Sequence, residues 1–94
     1  MQFAKVSGTQ NQHKVILYAL STCVWCKMTK QFLKDNDVEY EFVDVDLCDE
    51  NDRQKIREDI INRGGRPSYP ILIIDGKSMI IGFRKEEIKE ALGL

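Results

Sequence analysis

The stretch Leu20-Ser21-Thr22-Cys23-Val24-Trp25-Cys26-Lys27 decides how the rest of this chain is read. A continuously apolar, β-rich run, Val15 to Leu20, leads into it, and a helical pattern leads out of it. A C-x-x-C pair therefore sits where a strand hands over to a helix, with its first cysteine at or near the helix start. Unpaired backbone N–H groups and the positive end of the helix dipole face that position. Both favour a thiolate over a thiol, which makes Cys23 the candidate nucleophile, reactive near neutral pH. Lys27 adds a positive charge beside the pair. Two intervening residues keep the sulfurs close enough to bridge. Cys26, a turn further into the helix, is expected to be more buried and to react second. In this context the pair reads as a redox dithiol.

Two other readings of the pair are weaker. Zinc normally takes four ligands, and outside the motif only Cys48 and His13 are on offer. A purely structural disulfide across so short a loop would add little, because the entropic gain grows with loop length.

Composition narrows the function classes. The 94 residues suffice for one domain. At 43% hydrophobic and 31% charged, the composition is that of an ordinary globular protein. A net charge of −1 argues against nucleic acid or a membrane surface as partner. No apolar run approaches the ~18 residues of a transmembrane helix, and Met1-Gln2-Phe3-Ala4-Lys5 lacks the apolar core of a signal peptide. Three cysteines, two of them in one motif, do not make a secreted disulfide framework. A reducing, cytoplasmic setting and a monomer are expected.

Residues 1–13 read as a polar N-terminal extension in which Phe3-Ala4-Lys5-Val6 could form a short extra strand, and residues 14–94 as the domain. His13, with no carboxylate or cysteine beside it in sequence, reads as a solvated loop residue. Val15 to Leu20 suits a central strand covered on both faces. Ser21 or Thr22 can cap the following helix, predicted over about Val24 to Asn36. Trp25, Met28 and Phe32 share one side of it, with Thr29 and Leu33 beside them, and Lys27, Lys30 and Lys34 on the outer face. Trp25 is expected to be exposed and to shape a docking surface, since surface aromatics mark contacts.

A second strand is predicted over Tyr40 to Asp46, reached by a right-handed parallel crossover. Asp44 and Asp46 read as solvated or capping residues, and Cys48 as a small, half-buried apolar side chain. Asp49, Asn51 and Asp52 can cap a helix over about 51–63, with Ile56, Ile60 and Ile61 inward and a charged outer face that includes Arg53 and Arg57; Gly64-Gly65 ends it. Pro70 precedes the buried strand Ile71 to Ile74, where both a cis and a trans Tyr69–Pro70 bond fit. A cis bond would turn the Ser68 carbonyl and the Tyr69 N–H toward a neighbouring loop, able to take an extended peptide as an added strand. Asp75-Gly76 marks a hairpin into Met79-Ile80-Ile81. A last helix opens near Arg84, with Ile88, Ala91 and Leu92 inward. The fold class expected is α/β: a four-stranded mixed sheet flanked by three helices in the order β-α-β-α-β-β-α, with the short N-terminal strand as an addition.

Cys23-Val24-Trp25-Cys26 after the first main strand, Ser68-Tyr69-Pro70 before the third, and Gly82 after a hairpin together resemble the glutaredoxin family of the thioredoxin superfamily. The resemblance covers about residues 14 to 93. It implies a thioredoxin-like fold, with Cys23 as nucleophile, Cys26 as resolving thiol and Pro70 as a cis proline facing them. It also implies that the backbone of Ser68 and Tyr69 holds glutathione or a peptide. Three features depart from the family. The usual Cys-Pro-Tyr-Cys is absent, the lysine before the motif is Ser21 or Thr22, and Ile81-Gly82-Phe83-Arg84-Lys85 replaces a Gly-Gly-x-Asp-Asp stretch that recognises glutathione. Gly82-Phe83-Arg84 instead resembles the Ser-Gly-Phe-Arg-Pro signature of redoxins that serve ribonucleotide reductase and take electrons from thioredoxin reductase; Val24 matches them too.

The activity so implied is that of a dithiol–disulfide oxidoreductase acting on protein or small-molecule disulfides, with ribonucleotide reductase as a candidate substrate. Thioredoxin reductase or glutathione is the expected reductant. Trp25, Lys27, Arg66, Ser68, Tyr69, Pro70, Gly82 and Phe83 are the expected substrate contacts, Arg66 as a bidentate carboxylate holder. Dithiol exchange requires no metal or organic cofactor. The alternative reading is an iron–sulfur cluster carrier using Cys23 and glutathione as ligands.

Overall fold

In the computed structural model, which describes residues 1–94, the chain runs β1 (Ala4–Val6), β2 (Val15–Ala19), α1 (Val24–Asp35), β3 (Tyr40–Asp44), a 3-10 turn (Val45–Leu47), α2 (Glu50–Asn62), β4 (Ile71–Ile74), β5 (Ser78–Ile81) and α3 (Lys85–Leu92). One mixed sheet has the order β1-β3-β2-β4-β5. β2 and β3 are parallel; the other three pairings are antiparallel. The expected α/β order is present, and the N-terminal strand joins it as a fifth strand on the β3 edge. No helix is long and apolar enough to cross a membrane.

β2 and β4 are apolar at every position because both of their faces are covered. Leu17, Ala19, Leu72 and Ile74 point to a core shared with Cys26, Phe32 and Leu33 of α1 and Ile88 and Leu92 of α3. Tyr18, Ile71 and Ile73 point the other way, onto Ile56 and Ile60 of α2. The two-residue alternation of a strand thus divides one apolar run between two cores.

Several local expectations are corrected. The inward stripe of α1 is Cys26, Thr29, Phe32 and Leu33, whereas Trp25 and Met28 are 59% and 42% exposed. Buried Cys26 and exposed Trp25 agree with expectation; what differs is Met28, which leaves the side that helical spacing assigns it with Phe32. Buried Thr29 is satisfied by donating its hydroxyl to the Trp25 carbonyl, 2.8 Å away. Neither Ser21 nor Thr22 caps α1; Cys23 does. Ser21 is engaged elsewhere, with its N–H donating to Asp46 Oδ1 at 2.8 Å and its hydroxyl bonded to the same carboxylate. That hydroxyl and N–H hold the Asp46 carboxyl below its ordinary range. β3 ends at Asp44 because the chain then tightens into the 3-10 turn. Asp49 caps α2 by accepting the Asp52 N–H at 2.8 Å, and Ile61 lies outside the buried Ile56–Ile60 stripe, 53% exposed.

Lys30 is not on a solvated face: its ammonium lies 3.0 Å from Asp44 Oδ1 and 4.1 Å from the centre of the Phe42 ring. His13 is not solitary either. Its Nδ1 sits 2.7 Å from Asp75 Oδ2, and the Lys14 N–H donates to the other oxygen at 2.8 Å. Sequence separation hid both pairs. Cys48 is half-buried as expected, its Sγ 3.6 Å from the Asp44 carbonyl, and burial together with Asp52 and Asp49 pushes its thiol upward.

The N-terminal segment is tied to the sheet beyond β1. The Gln10 N–H donates to the Asp37 carbonyl and the Glu39 N–H to the Gln10 carbonyl, at 2.9 and 3.0 Å. Gly8 permits this approach. A Cβ there would lie 2.5 Å from the Asp37 oxygen and 2.7 Å from the Val38 carbonyl carbon, both backbone atoms. Gly8→Ala should therefore lower stability by about 1–3 kcal/mol and expose residues 1–13 to protease. An unchanged urea midpoint would show that the segment shifts aside at no cost.

Candidate active site

The central strand β2 ends between two cores and delivers the chain from its C-terminal end to the start of α1. There the Cys23 N–H closes a turn onto the Leu20 carbonyl at 3.3 Å. Cys23 is extended (φ −92°, ψ 118°) and half-buried, and its Sγ accepts the Cys26 N–H at 3.2 Å. The helix start thus spends one of its free N–H groups on the first sulfur. Cys26, 0% exposed, accepts the Leu20 N–H on its Sγ at 3.5 Å. Its thiol is pushed up to about 12, first by burial and next by its hydrogen bond with Cys23; the Leu20 N–H and the Lys30 ammonium pull the other way. The outer sulfur is reachable and the inner one is held as a thiol behind it.

The second wall is the loop into β4. The Tyr69–Pro70 bond is cis and Pro70 is buried, its carbonyl accepting the Gly82 N–H at 2.8 Å. Within the chain, the Ser68 carbonyl and the Tyr69 N–H have no backbone partner. Gly82 has φ +90°, a left-handed conformation that suits glycine. It lets the chain leave β5 and carry Phe83 back toward α1. The Phe83 ring centre is 6.4 Å from that of Trp25 and 5.9 Å from that of Phe32.

Six expected contact residues converge here: Trp25, Ser68, Tyr69, Pro70, Gly82 and Phe83 line one open groove of about 360 Å³. Arg84 completes the lining, a residue that sequence reasoning noted as a replacement for an acid without counting it as a contact. Lys27 and Arg66 are exposed and lie outside the groove. A second groove, about 500 Å³, opens on the other side of Tyr69, with Asp46, Glu50, Arg53, Gln54, Arg57 and Pro67 on its walls. Arg53 and Arg57 were read only as part of a solvated helix face. Their four-residue spacing puts them on one side of α2, but nothing in sequence says that this side meets the Pro67–Tyr69 loop. Burial raises the Tyr69 phenol, with Arg57 opposing.

The glutaredoxin family model matches residues 15–79. A glutaredoxin-like 8.6 kDa protein in the rubredoxin operon of Clostridium pasteurianum is 37% identical over 76 residues, 81% of this chain and 93% of that protein. The crystal structure of the glutaredoxin from Methanosarcina mazei Go1 covers 100% of this chain and 90% of its own at TM-score 0.87 and 40% identity. The glutaredoxin-like protein NrdH-redoxin of Escherichia coli, a protein with a thioredoxin-like activity profile, superposes at TM-score 0.62 over 82% of this chain and 92% of that one; at 23% identity it is a likeness of fold. A C-x-x-C at a helix start, a cis proline beside it and a family match across both make this chain a member of the glutaredoxin family.

Proposed function

We propose that the chain is a dithiol–disulfide oxidoreductase working through Cys23 and Cys26. One observation carries this reading: the reachable Cys23 Sγ is hydrogen-bonded by the helix-start N–H of Cys26, while the Cys26 thiol is buried in the same turn. Cys23 attacks a substrate disulfide, expels one thiolate and becomes joined to the other half. Cys26 then attacks Cys23 Sγ, so the mixed bond breaks, reduced substrate leaves and Cys23–Cys26 forms. A donor returns two electrons to the pair.

Trp25, Pro70 and Phe83 would form the apolar sides of the substrate channel, and the free Ser68 carbonyl and Tyr69 N–H would pair with an extended segment running through it. Lys27 and Arg66, exposed and outside the groove, would act on acidic substrates only through their charge at a distance. The first groove contains Arg84 and no carboxylate. This favours thioredoxin reductase over glutathione as donor, and the Gly82-Phe83-Arg84 stretch favours a redoxin-type protein substrate such as ribonucleotide reductase. The protein would act as a monomer.

Cys23→Ser should abolish disulfide turnover, and Cys26→Ser should accumulate mixed disulfides visible by mass spectrometry of the intact protein. A Cys23→Ser variant with full reductase activity would falsify the assignment of the nucleophile. Offered thioredoxin reductase with NADPH in one assay and glutathione with its reductase in another, the oxidised protein should be reduced faster in the first. The reverse order would point to glutathione held in the Arg53–Arg57 groove.

A further inference from the structure

Resting on that reading of the pair, the second exchange step poses a problem that the first does not. Cys26 must lose its proton and attack from a buried position. Once Cys23 is tied up as a mixed disulfide, it neither charges nor hydrogen-bonds its partner as a thiolate. What then favours the Cys26 thiolate is the hydrogen bond from the Leu20 N–H and, through space, the charge of Lys30. The rest of its core cluster consists of apolar side chains from β2, β4, β5 and α3, together with apolar residues of α1, Val38 after it and the ring of Tyr40 at β3.

We propose that Lys30, anchored by Asp44, is a positioning residue for the resolving step, its ammonium stabilising the Cys26 thiolate as that thiolate attacks Cys23. Cys26 and Lys30 stand four residues apart on α1, so their Cβ atoms lie about 6 Å apart on one side of the helix. A helical side chain leans back over the preceding turn, which here is the turn of Cys26. Asp44 fixes the other end. It is the last residue of β3 and lies in register with Ala19 of β2. The next residue, Leu20, donates its N–H to the Cys26 sulfur. The ion pair therefore sits at the level of the inner sulfur. It is partly desolvated, with side-chain exposures of 24% for Lys30 and 19% for Asp44, and the Phe42 ring backs the ammonium.

The step balances as follows. Cys26 gives its proton to a solvent base and attacks Cys23 Sγ. The Cys23–Cys26 bond forms and the bond from Cys23 to the substrate sulfur breaks. The electron pair leaves with the substrate thiolate, which takes a proton from solvent; the substrate is reduced and the dithiol oxidised.

The probe is the aryl disulfide dithiobis(nitrobenzoate), mixed by stopped flow with the reduced protein in a Cys48→Ser background across a range of pH. One coloured thiolate is released when Cys23 attacks and a second when Cys26 resolves the adduct. Lys30→Gln should leave the first phase within about twofold and move the pH midpoint of the second up by roughly one unit, a ~10-fold slowing at neutral pH. Lys30→Arg should keep the unsubstituted profile. Asp44→Asn, which removes the opposing negative charge, should move the midpoint down. A clamp that merely holds α1 to the sheet would shift neither midpoint, or both in the same direction. Either result overturns the proposal, as does an equal shift in Lys30→Gln and Lys30→Arg. If no first phase appears in the parent protein, the redox-pair reading itself has failed, and this inference with it.

Discussion

The hydrogen bond from the Cys26 N–H to Cys23 Sγ joins the architecture of this protein to its chemistry. It exists only because a strand buried on both faces stops at Ala19 and a helix begins at Val24. The N–H groups of a first helical turn have no partner within the helix. Placing a sulfur at the cap position spends one of them on Cys23, the group that the proposed function asks to react. A serine or threonine cap would satisfy the helix equally well, yet Ser21 is held by Asp46 and the cap falls to the cysteine.

Everything around that bond controls access. On one side the cis Tyr69–Pro70 loop, the left-handed Gly82 and the Trp25–Phe83 pair leave an open groove of mixed character with unpaired backbone groups at its edge. On the other, the α2 arginines and two acids make a polar groove, and Tyr69 belongs to both. The pair is thus flanked by two different surfaces, one carrying aromatic rings and Arg84, the other the charged side chains of α2. On the proposed function, substrate choice and donor choice need not depend on the same residues.

The burial that protects the inner thiol also raises the cost of using it. Burial pushes the Cys26 thiol up to about 12, so its thiolate needs a compensating field. In this fold the available sources are a backbone N–H and a lysine held by a strand-end aspartate. The same ion pair closes the seam between α1 and β3 over Phe42, so a stabilising contact and an electrostatic one occupy the same atoms.

Much of this was legible in the sequence because it is local. Apolar runs with strand residues, a C-x-x-C at a strand-to-helix junction, Asp-Gly at a hairpin and Gly-Gly at a helix end each act within a few residues of themselves. They determined the element order and the class of fold, while six of the seven residues lining the groove beside the pair were implied by the family resemblance of three short motifs. What the tertiary structure decided comes from pairs far apart in the chain. Lys30 meets Asp44, His13 meets Asp75, Gly8 meets the backbone of Asp37 and Val38, and Arg53 and Arg57 meet the Pro67–Tyr69 loop. The facing of α1 belongs here too. The motif's place at the helix start already put Cys26 inward and Trp25 outward, but spacing left Met28 beside Phe32, and only packing against β2 and α3 turned Met28 out and Thr29 in. Periodicity in a sequence says which residues share a face; which face is buried is set by the surface that arrives to cover it.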